Sequence, residues 1–134
     1  MLLSLLSKEE KMYFLDLLNE LIIADGNPTE TELSIKNRLK YEMGDEILKY
    51  KRSSLSKDKL IEYFSKKTYP TKNLVYLNLV AASLNDDWYS VEEHLLLEKI
   101  QAALQISDKK RNELFKLVYS ERDLREKVKR VISE

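Results

Sequence analysis

The sequence predicts an all-α protein, a helical bundle of about six to eight helices. Only two glycines and two prolines interrupt the 134 residues, which leaves few of the turns that β-hairpins need. Leucine, isoleucine, lysine and glutamate recur at the three- and four-residue spacing of amphipathic helices. Together these observations favour helices along the whole chain.

The length and composition indicate one soluble domain that covers residues 1–134. A chain of this length buries about two thirds of the surface that it exposes when unfolded. Its 23 basic residues balance 23 acidic ones, so no overall field favours an anionic partner. We therefore expect neither nucleic-acid binding nor membrane insertion. The absence of cysteine excludes disulfides, thiolate metal ligands and thiol nucleophiles.

Helix caps divide the first half of the chain. Residues 7–10 (SKEE) have the pattern of a capping box and predict a helix that ends near Ala24. Residues 29–32 (TETE) repeat that pattern and predict a second helix, with Gly44 as its natural stop. One or two short helices are expected between residues 45 and 67, with Ser56 as a cap. The first helix should bury one apolar stripe, formed by Phe14, Leu17, Leu18, Leu21 and Ile22.

The second half follows the same scheme. Residues 68–71 (TYPT) predict a break, and residues 73–84 predict an apolar helix. A third capping box at residues 90–93 (SVEE) opens a helix that runs to about residue 105. Ser107 is expected to cap a further helix, and a last amphipathic helix should begin at about residue 121.

Basic residues gather in two clusters. Solvated helix faces explain both, and binding of an anionic partner, with a steep salt dependence, is the alternative. The clusters are Lys49, Lys51, Arg52, Lys57 and Lys59, and then Arg122, Arg125, Lys127, Lys129 and Arg130.

Two segments of the chain align with each other without a gap when one is shifted by 61 residues. The aligned positions share an acid, a helix cap, a second acid and an apolar stripe. We predict from this a duplicated helix-loop-helix unit, with repeats at about 7–67 and 68–134. The aligned pairs are Asp25 with Asp86, Thr29 with Ser90, Glu32 with Glu93, Ile35 with Leu96, Arg38 with Lys99, Leu39 with Ile100 and Met43 with Leu104.

The first acidic loop matches half of an EF-hand. Asp25 and Gly26, followed by Glu32, fit the second half of that calcium loop. The positions that should carry the first carboxylates hold Leu21 and Ile23, so an ordinary EF-hand is excluded. The acids either bind a divalent cation or act only as caps of the following turn.

A cation site in these loops would use carboxylate oxygens and would bind Ca²⁺ or Mg²⁺ weakly. The alternative, turn chemistry without an ion, needs nothing beyond the chain itself. Trp88 and Tyr89 in the second loop either anchor it on the bundle or contact a partner. The candidate metal ligands are Asp25, Glu32, Asp86 and Glu93, with Asp87 and Glu92 as auxiliaries.

The segments LLNELIIADGNPTETELSIKNRL and LNLVAASLNDDWYSVEEHLLLEKIQAALQIS resemble the TerB-like tellurite-resistance family. The resemblance rests on an Ala-Asp-Gly turn at residues 24–26 with a glutamate, Glu32, seven residues after the aspartate. It implies a helical bundle with duplicated acidic loops, interaction with metals and a role in stress responses together with other proteins. The second loop departs from the family pattern, because Asn-Asp-Asp-Trp-Tyr stands at residues 85–89 in place of Ala-Asp-Gly.

Catalytic patterns are missing from the sequence. His94 is the only histidine, which excludes HExxH and other two-histidine sites, and its expected partner is Glu98, four residues later. We therefore expect a protein that is not an enzyme. The opening segment MLLSLLSKEEK lacks the basic region and cleavage site of a signal peptide, which predicts a cytoplasmic location. Two functions remain open: a divalent-ion-responsive module, or a helical interaction scaffold whose acidic turns are purely structural.

Overall fold

The computed structural model describes residues 1–24, 26, 30–47, 49–84 and 90–134, apart from the side chains of residues 31, 32 and 46. These residues form six α-helices and two short 3₁₀-helices, and they include no β-strand, which confirms the all-α prediction. The α-helices are α1 (Lys8–Ile22), α2 (Glu30–Glu42), α3 (Lys57–Ser65), α4 (Tyr69–Leu84), α5 (Val91–Ala103) and α6 (Asp108–Ser133). The 3₁₀-helices are Leu3–Leu5 and Asp45–Ile47.

Helix α1 lies at the centre of the bundle and packs against α2, α3, α4 and α5. Its predicted apolar stripe is confirmed, because all five residues of the stripe are buried. One continuous core joins these residues to apolar side chains of the other helices. Burial of such stripes, at about 25 cal/mol per Å² of apolar surface, is the main term that stabilises the fold.

Serine side chains begin four of the helices, as the sequence predicts. Ser7 forms the complete capping box with Glu10, whose N–H donates to Ser7 Oγ at 3.1 Å while its carboxylate accepts from the Ser7 N–H at 2.8 Å. Ser56, Ser90 and Ser107 each accept a hydrogen bond from the backbone N–H three residues later. These bonds satisfy N–H groups that have no partner inside a helix.

Two predicted boundaries are wrong. Helix α4 begins at Tyr69 rather than at residue 73, and the N–H of Lys72 already donates to the carbonyl of Thr68 at 3.0 Å. Pro70 does not delay the helix, because a residue in the first turn has no helical partner for its N–H. The expected separate helix from residue 121 is also absent, since α6 runs unbroken from Asp108 to Ser133 and contains neither glycine nor proline.

The two helices that follow the acidic loops correspond closely. Helices α2 and α5 each contain 13 residues, and their bounds differ by 61 residues, as the predicted alignment requires. The three apolar pairs of that alignment, Ile35 with Leu96, Leu39 with Ile100 and Met43 with Leu104, are buried in both copies. The common ancestry of the two halves stays a prediction.

Candidate functional site

The helix ends that flank the two acidic loops meet inside the bundle. Ile22 at the end of α1, Ser83 near the end of α4 and Glu93 in the first turn of α5 line one small, partly open cavity. The remaining walls are apolar and come from Leu18, Leu21, Ile35 and Ala82. The fold therefore brings both halves of the proposed duplication to a single place.

Glu93 is the acidic side chain at this junction, and only 1% of the residue is exposed. Its position follows from the helix cap: the Glu93 N–H donates to Ser90 Oγ at 3.0 Å, and Ser90 Oγ also lies 3.4 Å from a carboxylate oxygen of Glu93. The first turn of a helix carries a partial positive charge that suits a carboxylate. A buried carboxylate nevertheless requires further polar or charged neighbours, because transfer of the ionised form out of water is costly.

Ser83 supplies a second polar group to the cavity. It is 2% exposed, and its hydroxyl oxygen has no hydrogen-bond partner among the residues that the structure describes. A buried hydroxyl without a partner costs roughly 1–3 kcal/mol. The cavity is about the size of one water molecule.

Glu92, the neighbour of Glu93 in α5, lines a surface groove and not the buried cavity. It is exposed and lines an open surface groove of about 480 Å³. The groove contains two acids, Glu20 and Glu92, and two lysines, Lys57 and Lys99, so that its charges balance. Its other walls are Ile23, Ala24, Leu95 and Leu96. Adjacent acidic residues of α5 thus differ in environment, and only Glu93 reaches the buried junction.

The other predicted ligands are not placed. Asp25, Asp86 and Asp87 lie outside the described residues, as does the side chain of Glu32. Trp88 and Tyr89 also lie outside them. Within the part of the chain that the structure describes, no three histidine or acidic side chains are grouped so that they could hold a metal ion.

Two sequence predictions near the site can be compared with the structure. Of the two positions where an EF-hand would need carboxylates, Leu21 packs in the core and Ile23 is 41% exposed. His94 pairs with Glu98 as expected, with 2.9 Å between Nε2 and a carboxylate oxygen. Both side chains of that pair are about half exposed, so the imidazole lies on the surface of α5 and not in the buried junction.

A buried polar cluster on α1 was not predicted. Asp16 is 1% exposed and accepts hydrogen bonds from the Tyr50 hydroxyl, from the Ser53 N–H at 3.2 Å and from the Ser53 hydroxyl at 2.5 Å. Burial raises the pKa of Tyr50, and the hydrogen bond to the Asp16 carboxylate raises it further. The feature of the sequence that could have predicted this cluster is an aspartate, Asp16, inside the apolar run LDLL at residues 15–18. The cluster holds residues 50–53 against α1.

No protein-family model, curated protein or solved structure matches this chain. The class of protein that the structure defines is an all-helical bundle with a small cavity between α1, α2, α4 and α5, lined mainly by apolar side chains together with Ser83 and Glu93. The TerB-like resemblance stays a prediction that rests on the residues quoted for it.

Proposed function

We propose that this protein is a non-enzymatic, TerB-like stress-response module that responds to a divalent cation at the junction of its two acidic loops. One observation supports the proposal most directly. The buried carboxylate of Glu93 lines one small cavity together with the hydroxyl of Ser83, which has no hydrogen-bond partner among the described residues. That cavity lies between the helix ends that flank both loops.

The chemistry of the junction fits a hard cation. Carboxylate and hydroxyl oxygens are ligands that Mg²⁺ and Ca²⁺ accept, and both ions need further oxygen ligands beyond these two. The acidic loops would supply them: Asp25, Glu32 and Asp86 as ligands, with Asp87 as an auxiliary. Glu92, which lines the surface groove, is not among the ligands of this site. A cation held there would link α1, α4 and α5, so that binding stabilises the packing of the two halves against each other.

Thermal melting and calorimetry with millimolar Ca²⁺, Mg²⁺, Mn²⁺ and Zn²⁺ test this proposal. At a cation concentration ten times Kd, binding to the folded state alone adds about 1.4 kcal/mol to the free energy of unfolding. For a chain of this size that raises Tm by roughly 5 °C. A wild-type protein whose Tm and heat of mixing do not respond to any of the four ions would refute the proposal.

Substitutions at the junction show which residues the cation-dependent rise in Tm requires. Glu93→Gln, Ser83→Ala and the double variant Asp25→Asn with Asp86→Asn should each reduce the cation-dependent rise in Tm. Glu10→Gln is the matched control, since Glu10 occupies the same position in the capping box at the opposite end of α1. This control should lower Tm equally with and without the cation. A response that persists in all three junction variants would place the ion elsewhere.

The alternative is a helical protein-interaction scaffold whose acidic turns are purely structural. The place of Glu93 in the first turn of α5 favours it, because the partial positive charge of the helix N-terminus and the contact of the carboxylate with Ser90 Oγ at 3.4 Å explain an acid there without any ion. A water molecule would then occupy the cavity. In that case the double loop variant shifts Tm by the same amount in chelator and in each cation.

A further inference from the structure

A groove of about 300 Å³ lies between α2, α4 and α6, and we call it the interhelical groove. Its volume is at the lower end of the range in which proteins bind small molecules. Apolar side chains of α2 and α4 form one part of its wall, and two of them are alanines, which leave room above the helix backbone. These apolar residues are Ile35, Leu39, Ala81 and Ala82.

Charged groups form most of the remaining wall, and the two acids among them already have partners. The Met1 amine lies 2.9 Å from a carboxylate oxygen of Glu42, and that oxygen also accepts a hydrogen bond from the Leu3 N–H at 3.3 Å. Arg125 pairs with Glu121 at 3.4 Å. Each acid of the groove is therefore neutralised by a cation of the same groove.

Asn78 is the uncharged polar residue of the wall, and its hydrogen-bonding groups are in use. It is fully buried, and its side-chain oxygen accepts from the Met1 amine at 2.8 Å. Its side-chain nitrogen donates to the carbonyls of Met1 at 3.0 Å and of Leu74 at 2.9 Å. Asn78 therefore holds the wall in place and offers no free donor to a ligand.

Arg38 is the cation of the groove that has no partner. It lies four residues before Glu42 in α2, at the spacing of a helical ion pair, but the Glu42 carboxylate contacts the Met1 amine instead. No ion pair or hydrogen bond joins Arg38 to any residue that the structure describes. The groove has three positive groups and two carboxylates, which leaves one uncompensated positive charge.

The charge of the groove and its apolar wall together indicate the class of ligand. A guanidinium binds a carboxylate through two parallel hydrogen bonds. A monoanion balances the single net charge, whereas a dianion such as phosphate would also be repelled by the two acids. An organic ligand with a short hydrocarbon chain can in addition cover the apolar wall, which an inorganic anion cannot do.

We propose that the interhelical groove binds a small aliphatic carboxylate, with its anionic group on Arg38 and its hydrocarbon chain against Ile35, Leu39 and Ala81. The groove shares the side chains of Ile35 and Ala82 with the junction cavity, but none of the polar groups proposed to bind the cation lines it. The proposal needs no metal ion, so it does not rest on the proposed function.

NMR titration of the isotope-labelled full chain, in the presence of a chelator, tests the proposal. The probe is hexanoate. Hexanol has the same chain without the charge, hexylamine has the opposite charge, and acetate has the charge without the chain. We expect hexanoate to bind at least tenfold more tightly than each of the others, with the largest shifts at residues 35–39 and 78–82. No binding of hexanoate at millimolar concentration, equal binding of any other probe, or shifts centred elsewhere would overturn the proposal.

Substitution of Arg38 tests the anionic end of the ligand. Arg38→Gln should weaken hexanoate binding at least tenfold and remove the preference over hexanol. Arg38→Lys should lose part of the affinity, because an ammonium keeps the charge but not the two parallel hydrogen bonds. Arg130→Gln is the matched control, since Arg130 is exposed and does not line the groove, and its affinity should be unchanged. Unchanged affinity in Arg38→Gln, or an equal loss in Arg130→Gln, would overturn the assignment to Arg38.

Ala81→Leu tests the hydrocarbon end, because a larger side chain fills the apolar side of the groove. This variant should lose hexanoate binding while circular dichroism shows that it remains folded. A folded variant with unchanged affinity would overturn the proposed place of the hydrocarbon chain. Ala81 is only 9% exposed, so if the variant unfolds, the comparison of hexanoate with acetate on the wild type decides the same point.

Discussion

At the scale of single residues, Asp16 shows how one buried carboxylate can hold an irregular segment in place. Its three hydrogen bonds come from Tyr50 and Ser53, which lie 34 and 37 residues away in the sequence. Segment 50–53 forms no helix, so its backbone needs such partners. The carboxylate thus replaces the hydrogen bonds that regular secondary structure would supply.

We expect Asp16→Asn to lower the free energy of unfolding by about 2–4 kcal/mol, because the amide keeps the shape but loses the charge and half of the acceptor capacity. Urea denaturation measures the change. Glu20→Gln is the control: Glu20 lies on the same helix and pairs with Arg52 of the same segment at 2.5 Å, but it is more exposed. That change should cost less than about 1 kcal/mol. Equal losses in the two variants would contradict the role of Asp16.

Hydrogen-bond partners that are close in the sequence could be predicted, whereas partners that are far apart in the sequence could not. The Ser7 and Glu10 cap was predictable because its two residues are three positions apart and bond each other directly. Asp16 and Ser83 look like isolated polar residues in apolar runs, and only the packed structure shows what surrounds them. The same reason limits the candidate site, since Glu93 was predicted as a ligand while the Ser83 hydroxyl beside its cavity was not.

At the scale of helices, the boundaries follow from backbone chemistry. The predicted stop at Gly44 is confirmed: α2 ends at Glu42, and Gly44 adopts φ of +89°, where side chains are strained. The break predicted at residues 68–71 lies earlier, between the end of α3 at Ser65 and the start of α4 at Tyr69, because a proline in the first turn removes no helical hydrogen bond. Helix α6 was divided in error because serine and the acids near residue 121 resemble a cap, yet nothing there prevents the helix from continuing.

Gly44 gives a test at this scale. Gly44→Ala should lower the free energy of unfolding by about 1 kcal/mol, because the added methyl group meets no atom within 4 Å and only the positive φ opposes it. Gly44→Asn should cost less, since asparagine tolerates the left-handed conformation. Chemical denaturation of both variants measures the difference. A larger loss for asparagine than for alanine would contradict this explanation.

At the scale of the whole molecule, the structure consists of a body, in which the helices share one core, and an extension, which is the part of α6 beyond Val118. The core joins α1 to apolar residues of every other α-helix, and α6 contributes only Leu114 and Val118 among its described buried residues. None of the helices in the described part of the chain is long and apolar enough to cross a membrane, although α6 has 26 residues.

Native-state hydrogen exchange should separate these two parts. We expect the amides around Leu17 and Leu18 in α1 to exchange only through global unfolding, because these side chains are fully buried at the centre of the bundle. Amides from about residue 124 to Ser133 should exchange through local opening at much lower free energy, since no side chain there is buried. Ca²⁺ or Mg²⁺ bound at the proposed site should raise protection in the body. Equal protection of α1 and distal α6 in the free protein would mean that the extension unfolds together with the core.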